Sequence, residues 1–254
     1  MTTLEEAAAH WREWLGAGEL DEGWARVQEA LAEPAGGSPS VARARVLYAA
    51  HIFAFRLGQP SGDYAQQTLD LALRLGDVRG ECDGLTGLAR AALRDGDYAG
   101  VAAYAEQGVR KARDADDPAA EVAPLHLHAA GVRLSGDYDA ARDLYLESLA
   151  LADRLGNEQI KQLEYHNLGW VELHSGDLDS AAQMFAERDA RSGLDAYGDA
   201  WSELNAAAIA LGRGDRAQAM SHFGAGTKKL EEVGATLDPD DQSEVDWLRG
   251  RLGI

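Results

Sequence analysis

Seven histidines, one cysteine and 43 carboxylates are the side chains from which this 254-residue chain would have to build an acid, a base, a nucleophile or a metal cage. Their spacing builds none. There is no G-x-S-x-G, no glycine-rich loop ending in Lys-Ser/Thr, and no H-E-x-x-H, so no known geometry for covalent, phosphoryl or zinc chemistry is encoded locally. Cys82 stands alone, which excludes an intramolecular disulfide and a cysteine-built metal site; its helical surroundings predict a packed thiol. His126 and His128 are two residues apart and point to different sides of a helix, the wrong spacing for a shared ligand pair. The acids around Pro239 (Asp238, Asp240, Asp241) lack a D-x-D-x-D-G loop with its terminal glutamate and read as helix capping and dipole compensation. The expectation is a protein that is not an enzyme, with no metal and no cofactor. Binding is the class that remains.

Charge narrows the partner. A formal net charge of −19 argues against nucleic acid, because counterion release needs clustered Lys and Arg facing phosphates, and against an anionic membrane surface. Only Lys111, Lys161, Lys228 and Lys229 are lysines, a bias that reads as base composition rather than anion recognition. The opening MTTLEEAAAHWREW carries acids where a secretory signal needs a basic region and an apolar run, and no stretch approaches the ~20 apolar residues of a membrane span. A cytoplasmic protein with a protein or peptide partner is expected.

The elements that position the side chains are helices, since alanine and leucine dominate and β-branched residues are few. Glycines that end a helical pattern fall at Gly18, Gly58, Gly96, Gly136, Gly176 and Gly214, separated by 40, 38, 40, 40 and 38 residues. A second set of breaks lies between them, at Pro34 to Pro39, Gly76-Asp77, Asp116-Asp117-Pro118, Gly156-Asn157, Gly193 and Gly234. Two breaks per period mean two helices per repeat, each of ordinary globular length. At Gly96-Asp97, Gly136-Asp137, Gly176-Asp177 and Gly214-Asp215 the glycine can take positive φ at a helix end and the aspartate can cap the next helix.

Each unit also carries a small residue seven positions before the hinge glycine, another five after it and an aromatic nine after it. Gly169, Ala181 and Phe185 fit, as do Ala129, Ala141 and Tyr145, and Ala207, Ala219 and Phe223; Ala89, Val101 and Ala105 match less well. In this the chain resembles tetratricopeptide repeats. Its period is about six residues longer than the common form, and the proline that usually closes each repeat is mostly absent. Endings such as LALRLGD at Leu71 to Asp77 and LADRLGN at Leu151 to Asn157 are similar to the longer repeats of bacterial signalling and regulatory proteins. The resemblance implies an all-α, right-handed α-solenoid of about six hairpins in one domain spanning 1–254. The repeats run approximately 3–36, 40–77, 78–117, 118–156, 157–195 and 196–234, and a capping helix at 240–251, carrying Trp247, covers the last exposed apolar face.

The resemblance further implies that residues ten, six, three and two before each hinge line a concave face. Those places hold Arg12, Arg56, Arg90, Arg94 and Arg133, with His126, His166 and His174, and Tyr48, Phe55 and Trp170, and not one carboxylate. Among 24 such places about four acids would be expected at random. One explanation is that inner helices pack on both sides and tolerate arginine because its stem buries and its head reaches water. The other is a positive groove in a negative shell, with Tyr48, Phe55 and Trp170 as stacking surfaces, selecting acidic or carboxylate-bearing peptide segments. The carboxylate clamp of chaperone-binding relatives needs lysines this chain lacks; Asn167, nine before its hinge, is instead expected to bond a peptide backbone. The leading expectation is a non-catalytic scaffold that binds a peptide along this face, through Tyr48, Phe55, Arg90, Arg94, His126, Arg133, His166, Asn167, Trp170 and His174. The alternative is a free-standing peptide-sensing module of a bacterial signalling system. Self-association through terminal repeats is a third expectation.

Overall fold

The computed structural model describes residues 2–32, 38–191 and 195–254. Among them the chain forms thirteen α-helices and no strands: α1 (Leu4–Gly16), α2 (Leu20–Ala32), α3 (Val41–Arg56), α4 (Gly62–Leu75), α5 (Val78–Arg94), α6 (Tyr98–Asp114), α7 (Pro118–Leu134), α8 (Tyr138–Leu155), α9 (Glu158–Ser175), α10 (Leu178–Asp189), α11 (Ala196–Gly212), α12 (Arg216–Glu232) and α13 (Pro239–Leu252). The fold is an all-α helical repeat of six hairpins followed by one helix. It divides into two compact units, Met1–Gly131 and Val132–Ile254.

The turns follow from the glycine-aspartate chemistry. At Gly176 the backbone turns left-handed, with φ +89°, a conformation that costs a side chain with a Cβ but not glycine. That reversal lets the Gly176 and Asp177 amides donate to the Leu173 and Glu172 carbonyls, at 3.1 and 2.9 Å, so the last turn of α9 keeps its acceptors paired. The Asp177 carboxylate then accepts from the Ser180 amide at 3.0 Å and starts α10. Asp97, Asp137 and Asp215 cap α6, α8 and α12 in the same way. All six hinge glycines have φ between +70° and +89°, including Gly58, which the repeat period singled out. In the third repeat Asp116 takes the left-handed position, φ +52°, that glycine holds at the closing turns Gly76 and Gly156. The breaks expected at Gly193 and at 34–37 lie outside the described residues.

In the first unit the core gathers Leu4, Trp11, Val27, Val46 and Phe53. Close helix approach is enforced by missing side chains: a Cβ on Gly84 would meet the Leu69 backbone at 2.7 Å, and one on Gly131 the Ala102 amide at 2.8 Å. Cys82 is buried with Ala112 and Ala120, and burial pushes its thiol up to about 11, so it is the inert packed thiol expected.

The second unit is built on the residues that marked the repeat. Ala181, Ala207 and Ala219 are fully buried, and the Phe185 ring sits where a Cβ on Gly169 would come within 2.2 Å of it. Its core runs through Trp170, Trp201, Leu204 and Phe223 into Val245, Leu248 and Leu252 of α13. Arg216 donates to the Arg251 and Leu252 carbonyls, pairing acceptors left open at the end of α13. The final helix therefore covers the apolar face of the last hairpin as expected. It also does more.

Candidate functional site

In the second unit the first-helix face is occupied by α13. Tertiary folding brings the acids of α13 onto the basic and aromatic residues of α7, α9 and α11. Glu244 accepts from Arg133 Nη1 and from His174 Nε2, the latter at 3.1 Å. Arg133 is only 3% exposed; its Nε also donates to the Tyr145 hydroxyl at 3.3 Å, and Asp240 lies 3.9 Å from Nη2. Burial opposes the charge on Arg133, but Tyr145, Glu244 and Asp240 outweigh it and hold the guanidinium above the usual arginine value. A buried charge is tolerated only when paired this fully. Trp247 stands edge-on to both Trp170 and His174, with centroids 5.8 and 5.1 Å away, and Tyr138 stacks on His174 from the other side at 5.3 Å.

One turn earlier Asp241 accepts from the Tyr197 hydroxyl and lies 3.8 Å from His166 Nε2. This is not an ion pair at neutral pH. Burial, with Arg188 and Arg133 nearby, drives His166 well below its ordinary value and keeps it neutral. Burial and the neighbouring Asp240 push Asp241 up to about 8, so it is mostly protonated at neutral pH. His166 Nδ1 accepts from Asn205 Nδ2 at 3.4 Å, and Asn205 Oδ1 accepts from the Trp170 indole at 3.2 Å. One buried amide thus orients both rings.

Three expectations are corrected here. Trp170 is not an open stacking surface, because Trp201 and Trp247 enclose it. Asn167 does not present its amide to a ligand: Nδ2 donates back to the Leu163 carbonyl of its own helix at 3.0 Å. The acids of α13 do not merely serve their own helix; Asp238 stands at the N-cap without a side-chain cap bond, while Asp240, Asp241 and Glu244 reach other helices.

The first unit carries the same residue classes, and among the described residues no acidic helix lies upon them. Arg90 Nη1 donates to the Tyr48 hydroxyl at 3.0 Å. Arg94 donates to the Phe55 carbonyl at the end of α3, with its guanidinium 4.2 Å from the Phe55 ring centroid. Arg12 lies over Trp11 at 4.2 Å, and Trp11 stands edge-on to Tyr48 at 5.9 Å. Tyr48 and Phe55 are therefore beneath the face, covered by arginines, rather than exposed on it as expected. Arg12 and Arg56 are exposed, Arg90 and Arg94 half-buried, and none of the four forms a salt bridge with a carboxylate of the described residues. Asp83, largely buried, is raised from its ordinary value by burial, which Arg79 and Arg12 oppose. His126 lies half-buried on α7.

Sequence reasoning missed Tyr197, Asp241, Glu244 and the docking role of Trp247. A signal was present: Asp241, Glu244, Trp247 and Leu248 recur at three- and four-residue steps and so share one helical face. Among the described residues no group of three or more His, Cys, Asp or Glu side chains is placed to hold a metal ion, and no helix is long and apolar enough to cross a membrane.

The hinge, the paired small residues and the inter-helix aromatic occupy the places a tetratricopeptide-like hairpin gives them. The chain has that fold. Among solved structures it is similar to BtubC (BKLC) from P. vanneervenii, with a TM-score of 0.61 and 17% identity over 93% of this chain and 94% of that one. A tetratricopeptide repeat protein from Parabacteroides merdae aligns over 99% of both chains, with a TM-score of 0.49 and 14% identity. No family model and no curated protein matches the sequence.

Proposed function

We propose that the protein is a non-catalytic interaction scaffold whose first-helix faces recognise acidic segments carrying an aromatic anchor. The single observation that carries this reading is the seating of α13, in which carboxylates at Asp240 and Glu244 meet Arg133 and His174 while Trp247 packs on Trp170 and His174. The face selects carboxylate plus indole within its own chain, and complementary potentials confer specificity by the same rule between chains. In the first unit Arg12, Arg56, Arg90 and Arg94 form the corresponding basic set; the buried Asp83 acts on Arg12 electrostatically, and none of the four forms a salt bridge with a carboxylate of the described residues. A partner's acidic helix or strand is the natural complement of that set in a molecule otherwise charged −19.

The test uses the full chain and a fluorescein-labelled peptide with the sequence of Asp238 to Leu252, beside a version whose aspartates and glutamate are replaced by their amides. The acidic peptide should bind and lose affinity as salt is raised. Arg12→Glu combined with Arg90→Glu should weaken it at least about tenfold, as truncating or reversing interfacial charges does. Equal anisotropy for the acidic and amide peptides, or an unchanged titration in the double variant, would remove the basic face from the account.

A further inference from the structure

A pocket of about 970 Å³ opens in the second unit, bounded by the N-terminal half of α9, the end of α10, the start of α11 and Asp241 of α13. That volume is at the upper end of the range for ligand sites. On the α9 wall Leu163 is 39% exposed beside a half-buried Ile160, so an occupant has apolar surface to cover.

The α13 side of the pocket is one carboxyl set against aromatic rings. Asp241 accepts from the Tyr197 hydroxyl and lies 3.8 Å from His166 Nε2. Trp201 backs both rings, with centroids 4.8 Å from His166 and 6.5 Å from Tyr197. The Asp241 side chain keeps 22% of its surface exposed, which leaves it within reach of a ligand. Among the described residues it has no charged partner, because the nitrogen at ion-pair distance belongs to a neutral His166. A carboxylate taken from water without a cation is costly, and Asp241 keeps its proton up to about pH 8 through burial and the neighbouring Asp240.

The other charges leave the pocket negative. Both lining arginines are matched by carboxylates outside the lining: Arg188 pairs with Asp189 at 2.5 Å, and Arg191 pairs with Glu187 at 3.2 Å. Glu158 is shared between Lys161 at 3.0 Å and Arg191 at 3.8 Å. Asp195, exposed at the rim, caps α11 by accepting from the Gly198 amide and has no ion-pair partner among the described residues. An anion entering the pocket meets arginines already paired, whereas a cation meets Asp195 at the rim and Asp241 within. A cleft biased to one sign concentrates ions of the other.

We propose that this pocket binds an organic monocation, a protonated primary amine on an apolar body, with the ammonium donating to Asp241 and the body lying along Ile160 and Leu163. The neighbouring phenol and indole rings favour a cation as well. Binding replaces the Asp241 proton by the ammonium, so the proton leaves to solvent as the ion pair forms. The groups around Asp241 are His166 of α9, Tyr197 of α11, Arg133 of α7 and, on its own helix, Asp238 and Asp240. His166 is held below its ordinary value, and Tyr197 and Arg133 above theirs, so these three keep their charge states near neutral pH. The ammonium comes either from a free small amine or from a lysine side chain of a partner. This site does not rest on the basic faces proposed above.

Isothermal titration calorimetry of the full chain compares phenethylamine, phenethyl alcohol and hydrocinnamate, which share an apolar body and differ in charge, with Nα-acetyl-lysine methylamide. The amine should bind, the alcohol at least about tenfold more weakly, and the acid more weakly still. Titrations in phosphate and in Tris should show about one proton released near pH 7 and about a quarter of one near pH 8.5. Asp241→Asn, which keeps an acceptor for Tyr197, should erase both the preference for the amine and the proton release. Leu163→Arg, at an exposed wall position, should weaken the amine at least about tenfold by like-charge repulsion and decides the matter even if Asp241→Asn loosens α13. Tighter binding of the lysine probe supports a partner's side chain, and tighter binding of phenethylamine a free amine. No binding of either cation at about 5 mM, equal affinity for the alcohol, no proton release, or unchanged amine affinity in Leu163→Arg would overturn the proposal.

Discussion

Replacing Glu244 by leucine tests whether α13 is held by its charges or only by its apolar face. The substitution removes the acceptor for both Arg133 Nη1 and His174 Nε2. Arg133 is left buried, with one neutral hydroxyl at 3.3 Å and one carboxylate at 3.9 Å. Removing one member of a buried pair costs about 3–5 kcal/mol; the remaining Asp240 places this case near the lower end, about 3 kcal/mol. At about 1.4 kcal/mol per decade, the undocked population of α13 should rise roughly 100-fold. Arg133→Leu should cost slightly less, because Glu244 keeps His174. The double variant leaves only Asp240, which is in partial contact with solvent, without its cation, and should return to within about 1 kcal/mol of the parent, giving a coupling of about 2 kcal/mol or more. Native-state hydrogen exchange of the amides from Val245 to Leu252, with α12 as internal reference, reads all three. Exchange in Glu244→Leu within about threefold of the parent, or costs that simply add, would refute the reasoning and leave Val245, Leu248 and Leu252 as the whole anchor.

Asp241 makes the same docking sensitive to pH. Its folded value of about 8 lies above the ordinary aspartate value, so the folded state holds a proton the unfolded state has lost; the resulting stability is fully present below the ordinary value and is lost as pH rises through about 8. Exchange of α13 amides, corrected for intrinsic rate, should accelerate between pH 6 and 8, and Asp241→Asn should flatten that profile; a flat profile in the parent would be the contrary result. Gly169→Ala drives a Cβ into the Phe185 ring, 2.2 Å away, and overpacking of this kind costs about 1–3 kcal/mol. Thermal melts should show the loss and its partial recovery when Phe185→Leu is added, whereas an unchanged melting temperature would mean the ring simply moves aside.

The parts of the fold that could be read in advance rest on local chemistry. Gly176 followed by Asp177 is legible because positive φ and N-capping are properties of single residues and their near neighbours. Gly169, Ala181 and Phe185 are legible because the repeat displays the same packing solution several times, so a periodic sequence reports a periodic contact. The candidate site is different. The repeat spacing puts Arg133, His166, Trp170 and His174 on one face but says nothing of their exposure, since a single α-helix more than 60 residues further along the chain lies over them. Tyr48 and Phe55 are buried for a related reason: arginines of the next repeat fold down over them.

Sequence alone determined the helices, their hinges, the repeat and the exclusion of carboxylates from the inner positions, because each follows from backbone conformation or from packing repeated at fixed spacing. Only the tertiary structure decided where the missing carboxylates are supplied. In the second unit Asp240 and Glu244 bring them to Arg133 and His174, whereas in the first unit Arg12, Arg56, Arg90 and Arg94 form no salt bridge with the described residues, and only Arg12 has a carboxylate, Asp83, within electrostatic reach. Composition counts charges along the chain. Pairing depends on distances between residues far apart in it, which no periodicity encodes.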